Sequence, residues 1–369
     1  MKKLAIIGAS YLQLPLVLKA KEFGIETHCF AWEDGAVSKE FADYFYPISI
    51  LEKDQILEIC KQVGVDGITT IASDAAVPTV CFVAGEMGLT GNDFKDSSVA
   101  TDKYLMRQRF AEFEVSSPKF VIADENYSVE NFRFPLIVKP TDRSGSRGVM
   151  KIENSVDLQD AVERAQKESF THSAIIEEYI SGSEVSVESI SWQGKHFILA
   201  ITDKVTTEEP YFVELEHHQP SSLPDEIQQK IKIETMKALT ALNVKYGASH
   251  AEFKITKEGE VFVIEVGARM GGDFIGSHLV KLSTGYDFLK GVIDVSLRHF
   301  EAPNLRNSMC AGVYFLCKET ERLLPVIRNF RNYPEIVEAE VTDVELHAIQ
   351  CSADRSGYFI YQAPKRFVL

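Results

Sequence analysis

No apolar run in this chain is long enough to cross a bilayer, although 45% of its 369 residues are hydrophobic, so a membrane-spanning helix is excluded. Positive charge is also scarce. Thirty-nine basic against 54 acidic side chains leave a net charge of −15, which argues against a general affinity for nucleic acid or an anionic membrane. Any anion site must therefore be built locally. The six cysteines are scattered, with no C-x-x-C pair and no zinc-finger spacing, and read as reduced thiols of a soluble, cytoplasmic protein. The chain opens on Met1-Lys2-Lys3 and runs straight into Leu4 to Gly8, too short for a secretory apolar segment and readable as a buried strand. "IIGAS" offers only Gly8 where a dinucleotide fingerprint needs three glycines, so an NAD site is not expected.

What is present alternates strand and helix patterns. Length alone predicts two or three packed units. Over the first hundred residues Leu4–Gly8, Glu26–Ala31 and Gly67–Ala72 read as strands, and Leu12–Phe23 and Lys53–Val63 as helices, as in an open parallel sheet. "TDKYLMRQRFAEF" (101–113) predicts one helix capped by Thr101 or Asp102, with Lys103 as a solvated lysine unless a nucleotide phosphate lies close. Residues 118–180 read as a compact α+β unit, with Ser155 capping its helix. Helices are expected at about 225–242 and 286–300, and short strands beyond Pro303.

The chemistry begins at "VFVIEVGARMGG" (261–272), a strand with one carboxylate, Glu265. An unpaired buried carboxylate is costly, so a compensating group is expected. Upstream, "SHAEFKIT" alternates so that Ala251, Phe253 and Ile255 share one face and His250, Glu252 and Lys254 the other. A two-residue loop at Glu258-Gly259 would set Glu252 directly across from Glu265, at a Cβ separation of roughly 5 Å. Two like charges there need a cation, and Mg²⁺ suits carboxylate oxygens. The alternative is a slipped register, or two glutamates solvated separately on an exposed edge.

"FPLIVKPTDRSGSRGV" (134–149) is a buried strand ending in Lys139, followed by small residues whose backbone N–H groups can converge on an anion. It is not a Walker A loop, and a plain surface turn remains the competing reading. "AIIEEYISGSEVSVESI" (174–190) could offer backbone groups to an adenine rim and Glu184 to ribose hydroxyls, or be a strand with a wet acidic face.

In this order and spacing, "DK" at 102–103, "PLIVKP" with "SGSRGV", "IIEEYISGSEVSVE", "HAEF" and "IEVGARMGG" resemble the ATP-grasp superfamily of carboxylate-amine ligases. The resemblance covers nearly the whole chain and implies an α/β and α+β multidomain fold. Its parts would be an N-terminal parallel-sheet pre-ATP-grasp domain at 1–100, an ATP-grasp domain at 101–303 with a lid at about 117–180, and a small β-rich C-terminal α+β domain at 304–369. It implies that Lys103, Lys139 and the Ser144-Gly145-Ser146 to Gly148 loop bind ATP phosphates. Glu177 would meet the adenine amino group, the backbone at Glu178 and Ile180 would complete the base contacts, and Glu184 would hold the ribose. Glu252 and Glu265 would carry Mg²⁺ or Mn²⁺, and Arg269 would stabilise the transferred phosphoryl group. The family's Glu-x-Asn-x-Arg pattern has Gly267 in its Asn position here, which puts a third metal ligand in doubt.

"ITDKVTTEEPYFVELEHHQPSSLP" also resembles the central segment of L-amino-acid ligases, which would set Lys204, Glu214 and His217 near the phosphates or acyl site. A solvated pair, His217 and His218, is the competing reading. "RMGGDFIGSHL" is expected to line the acceptor site, with Gly271 and Gly272 allowing close approach and Asp273 holding an ammonium. The implied activity is activation of a carboxylate as an acyl phosphate and its transfer to an amine. Partners would be small molecules, with a homodimer allowed. Bicarbonate activation through carboxyphosphate, as in the carbamoyl-phosphate synthetase group, and a nucleotide-binding module without turnover are the alternatives.

Overall fold

The computed structural model describes residues 1–143, 145, 147–207, 209, 211–306 and 309–369. The N-terminal strands β1 (Lys3–Ile7), β2 (Glu26–Phe30), β3 (Tyr44–Tyr46) and β4 (Gly67–Thr69) form a parallel sheet in the order β3-β2-β1-β4. Leu4 to Ile7 are fully buried, as a strand covered on both faces requires. Helices Leu14–Glu22 and Lys53–Val63 supply crossovers. The loops leaving the carboxyl ends of such strands are where ligands bind in open parallel sheets.

The strand expected to reach Ala72 stops at Thr69. The Thr70 hydroxyl donates to the Ile7 carbonyl at 2.7 Å, and Ala72 N donates instead to Met270 O at 3.0 Å. A parallel bridge joins Ile71 to Met270, so the chain leaves its own sheet to pair with a loop some 200 residues on. The helix expected at 101–113 is present as Lys103–Glu112, and a second helix that was not expected, Phe94–Thr101, precedes it. Asp102 is extended and its carboxylate accepts from Leu105 N at 2.9 Å, capping the second helix. Lys103 is buried, against the solvated reading.

A second four-stranded sheet follows: β5 (Phe120–Ile122), β6 (Leu136–Pro140), β7 (Met150–Ile152) and β8 (Ala174–Glu178), in the order β5-β8-β6-β7. Helix Leu158–Glu168 packs on it through Leu158, Ala161, Val162 and Ala165. The cap of this segment is Asn154, whose side chain accepts from Val156 N, and not Ser155, which opens a single 3₁₀ turn.

The third sheet has eight strands: β9 (Ser183–Trp192), β10 (Lys195–Thr206), β11 (Glu214–Gln219), β12 (Gly247–Ile255), β13 (Val261–Gly267), β14 (Cys310–Leu316), β15 (Ile336–Val341) and β16 (Gly357–Ala363). Its order is β13-β12-β9-β10-β11-β14-β16-β15, so the strands beyond Pro303 continue the central sheet through β11. Helix Asp225–Ala241 covers one face, where Ile231, Ala238 and Leu239 pack with Val187, Phe253, Val263 and Val266. Each large apolar side chain buried there contributes roughly 1.5–3 kcal/mol. The opposite face is left for polar side chains.

The β12–β13 hairpin departs from the expected one in two ways that cancel. Its loop has three residues, Lys257 to Gly259: Thr256 N donates to Glu260 O and Gly259, at φ +80°, donates back to Thr256 O. That shifts the ladder by one residue as far as Phe253↔Val263. An extra residue, Ile264, then restores the register, so Glu252 pairs with Glu265 as expected. The bulge also reverses the strand's alternation. Val261 and Val263 face the core, and if the same sequence ran on without a bulge Glu265 would follow them inward.

Candidate functional site

Between the lid-like β5–β8 sheet and the polar face of the central sheet lies a cavity of about 200 Å³. Ile264 and Glu265, brought to one side by the bulge, line it together with Glu252 and Lys254 of β12. The facing wall carries Lys139, Glu177, Glu178, Tyr179 and Ile180, and Lys103 enters from its helix.

Every one of these carboxylates that is deeply placed has a cation beside it. Lys103 Nζ donates to Glu265 Oε1 at 2.9 Å and to the Arg143 carbonyl at 2.6 Å. Lys204, on β10, puts its ammonium 2.7 Å from Glu252, 2.9 Å from Glu184 and 3.2 Å from Glu214. Burial alone would lower the Lys204 pKa, but these three carboxylates outweigh it and hold it well above the usual lysine value. Burial would raise Glu252, and Lys204 and His250 pull it well below the carboxylate range. Lys139 behaves the other way: burial, with Arg107 and Lys103 nearby, lowers its pKa despite its contact with Glu177 at 2.7 Å. Glu177 also receives Arg107, a fully buried arginine, at 2.8 Å.

A second network lies beside the first. The loop after β13 is held by Glu188 on β9, whose carboxylate accepts from Gly271 N at 3.1 Å and pairs with His250 Nδ1. A Cβ on Gly271 would lie 2.6 Å from the His250 ring, so only glycine admits this contact. Burial would lower the His250 pKa; Glu188 overrides it and pushes the ring up to about 9. Its Nε2 reaches Glu252 at 3.4 Å. Two residues before Gly271, Arg269 is paired with Asp74, from the N-terminal sheet's last loop.

Asp273 is not free for an ammonium. Arg355 Nη1 donates to it at 2.8 Å, and Arg355 Nη2 donates to the Glu214 carbonyl and carboxylate. Asp273 and Phe274 both hold positive φ, +49° and +64°, a strained pair of the kind that gathers at functional sites. His217 and His218 are both buried, which overturns the solvated-pair reading. His218 bonds Glu216 and Tyr361. His217 lies 3.8 Å from Asp273, and neither of its ring nitrogens has a hydrogen-bond partner among the described residues. Burial lowers its pKa in spite of Asp273.

Of the residues singled out from the sequence, Lys103, Lys139, Gly145, Glu177, Glu178, Ile180, Glu184, Lys204, Glu252 and Glu265 line the cavity. Arg269, His217, Gly271, Gly272 and Asp273 stand outside that lining, next to it through Glu252 and Glu214. Gly148 also stands outside it, and Ser144 and Ser146 lie outside the described residues. Asp74, Arg107, Glu188, His250 and Arg355 carry weight that sequence reasoning missed. His250 had a signal, since it shares a strand face with Glu252. Asp74 and Arg355 had none, because their partners lie 195 and 82 residues away.

A metal fits the donor set. Glu252 and Glu265 present hard oxygens from directly opposed positions on one face. Oxygens of Glu184, Glu214 and Glu252 also come within 4.8 Å of one another, a space that the Lys204 ammonium fills.

A two-part clamp around a cation-lined cavity, joined to a parallel-sheet unit and to terminal strands of the same central sheet, is the arrangement of the ATP-grasp fold. The model of the ATP-grasp domain matches residues 132–277. Among curated proteins the chain is similar to alanine–anticapsin ligase of Bacillus subtilis strain 168, at 27% identity over 78% of this chain and 68% of that protein. It is also similar to the carbamoyl phosphate synthase large chain of Caldanaerobacter subterraneus subsp. tengcongensis, at 26% identity over 79% of this chain but 27% of that one. Among solved structures, the L-amino acid ligase of Bacillus licheniformis superposes with a TM-score of 0.78, covering 99% of this chain and 94% of that one at 22% identity. No helix among the described residues is long and apolar enough to cross a membrane.

Proposed function

We propose that the chain is an ADP-forming, Mg-ATP-dependent carbon–nitrogen ligase that activates a small-molecule carboxylate as an acyl phosphate and transfers it to an amine. The observation that carries this reading is the opposed pair Glu252 and Glu265 on one cavity wall, ringed by Lys103, Lys139 and Lys204. Glu252 and Glu265 would hold Mg²⁺, which when bound neutralises phosphate charge. Lys103 and Lys139 would turn from their carboxylates to the phosphates, with Gly145 on the same cavity wall. Adenine would lie against Tyr179 and Ile264 and take its polar contacts from the backbone at Glu178 and Ile180, because the Glu177 carboxylate is already committed to Lys139 and Arg107. Glu184 would take the ribose.

In the first step a substrate carboxylate oxygen attacks the γ-phosphorus and the bond to ADP breaks. In the second the amine attacks the acyl carbon, phosphate leaves with the bonding pair, and the amine loses a proton. The protein supplies position and opposing charge, with Arg269 facing the transferred group. Lys204, Glu214, His217 and the Gly271–Asp273 loop would form the end of the cavity where the two substrates meet, Asp273 acting as a pair with Arg355. The proposed division is 1–100, 101–303 with a lid at about 117–180, and 304–369, in a cytoplasmic protein for which a homodimer is allowed.

ADP release with Mg-ATP against pooled carboxylates, pooled amino acids and bicarbonate tests this. Release should need a carboxylate together with an amine and fall at least about a hundredfold in Glu265→Ala. Release with bicarbonate alone would move the chain to carboxyphosphate chemistry, and binding of Mg-ATP without release in any pool would defeat the ligase reading.

A further inference from the structure

Gly267 and Asp74 compete for one space. Gly267 closes β13, two residues before Arg269, and a Cβ built on it would come 2.5 Å from Asp74 Oδ1 and 3.1 Å from Arg269 Cζ. Asp74 starts a short helical turn, Asp74–Ala76, at the end of the N-terminal sheet's last loop. Its two oxygens accept from Arg269 Nε at 3.0 Å and Nη2 at 2.7 Å, while Nη1 donates to Met270 O. The same two segments are joined through their backbones by the Ile71–Met270 bridge and the Ala72 to Met270 hydrogen bond. Asp74 is therefore delivered to Arg269 by main-chain pairing as well as by charge. Burial would raise the Asp74 carboxyl; Arg269, then Lys103 and His250, hold it below its ordinary value.

We propose that Asp74 is a positioning residue for phosphoryl transfer, and that Gly267 is glycine in order to admit it. A side chain at 267 would point into the site from the strand that carries Glu265. This chain instead brings the oxygen across from another unit. Two parallel hydrogen bonds fix the plane of a guanidinium, which a single contact does not. The N–H groups not used by Asp74 and Met270 are left for charge that develops on the transferred group. The inference rests on the ligase reading of Arg269, and its test uses a probe that needs neither carboxylate nor amine.

Mg-ADP binding is measured by calorimetry with and without aluminium fluoride, which mimics the planar transferred phosphoryl group, in the unaltered chain and four variants. In the unaltered chain aluminium fluoride should tighten Mg-ADP. Asp74→Ala should weaken that tightening about ten- to a hundredfold and leave the Kd for Mg-ADP alone within about twofold, which also reports that the variant is folded. Asp74→Asn, which keeps an acceptor, should fall between. Gly267→Ala should reproduce the loss by displacing Asp74. Asp74→Ala combined with Gly267→Asn should recover part of it, because the carboxamide can enter the vacated space, a non-additivity that independent effects do not produce. Unchanged tightening in Asp74→Ala, simple multiplication in the double variant, or no tightening in the unaltered chain would overturn the proposal. Tightening by the unaltered chain with no turnover in any substrate pool would overturn the ligase reading and leave the role of Asp74 standing.

Discussion

Lys204 stands where a divalent cation could stand, its ammonium within 3.2 Å of three carboxylates. Removing one partner of a buried charge cluster leaves the rest uncompensated and costs about 3–5 kcal/mol. Lys204→Met should therefore unfold at markedly lower urea concentration than the unaltered chain. Added Mg²⁺ should restore more of the midpoint in the variant than it adds to the unaltered chain, since Glu184, Glu214 and Glu252 then lack the ammonium between them. His217 gives a pH signature. Its folded pKa lies below its ordinary value of 6.5, so between those values the unfolded chain binds a proton that the folded chain does not. Stability is lost as pH falls below about 6.5, at up to about 1.4 kcal/mol per pH unit. Urea titrations at pH 7.5 and 5.5 should show a smaller drop in His217→Gln than in the unaltered chain. Among the cysteines, Cys29, Cys60 and Cys81 are buried, and burial pushes each thiol up to about 12. Cys351 is exposed. Iodoacetamide at pH 8 should label Cys351 well before those three, read by peptide mass.

At the scale of elements, the bulge at Ile264 decides whether β13 is a core strand or a site strand. Deleting Ile264 would give the hairpin one uninterrupted ladder, in which Glu265 follows Val263 directly, stays opposite Glu252 and still faces the cavity. The deletion should therefore keep Mn²⁺ binding in the presence of ADP, measured by electron paramagnetic resonance, whereas Glu265→Ala should abolish it. Retained Mn²⁺ binding at the original affinity in Glu265→Ala would show that Glu265 is not a ligand. The Gly271 contact with Glu188 and His250 works on the same principle, a backbone amide held by a buried carboxylate so that the following loop is fixed.

Over the whole molecule, the cavity is a set of lysine–glutamate pairs joining a helix to two sheets: Lys103 comes from the helix after the N-terminal unit, Lys139 and Glu177 from the lid-like sheet, and Glu252 and Glu265 from the central one. Binding of Mg-nucleotide would exchange those partners. At about 100 times its Kd, Mg-ATP should stabilise the chain by roughly 2.7 kcal/mol. ATP without metal should stabilise it less, because the triphosphate then meets Glu252 and Glu265 uncompensated. A thermal-shift comparison of ATP, Mg-ATP and Mg-ATP with Glu265→Gln reads this directly.

That Glu252 and Glu265 come near one another on adjacent strands was legible in the chain, because a short Gly-containing loop restricts the register to a few choices, but the pairing itself agrees with expectation only because the longer loop and the bulge cancel. So was Lys139 near the end of an apolar strand. Those are local properties. The tertiary structure alone decided that Ile264 would be the extra residue, that Asp74 would fill the space beside Gly267, and that Arg355 would close over Asp273. For Asp74 and Arg355 the partner is far away in sequence, and its cost or benefit exists only once separate units have packed, when a buried charge must find a countercharge or be lost.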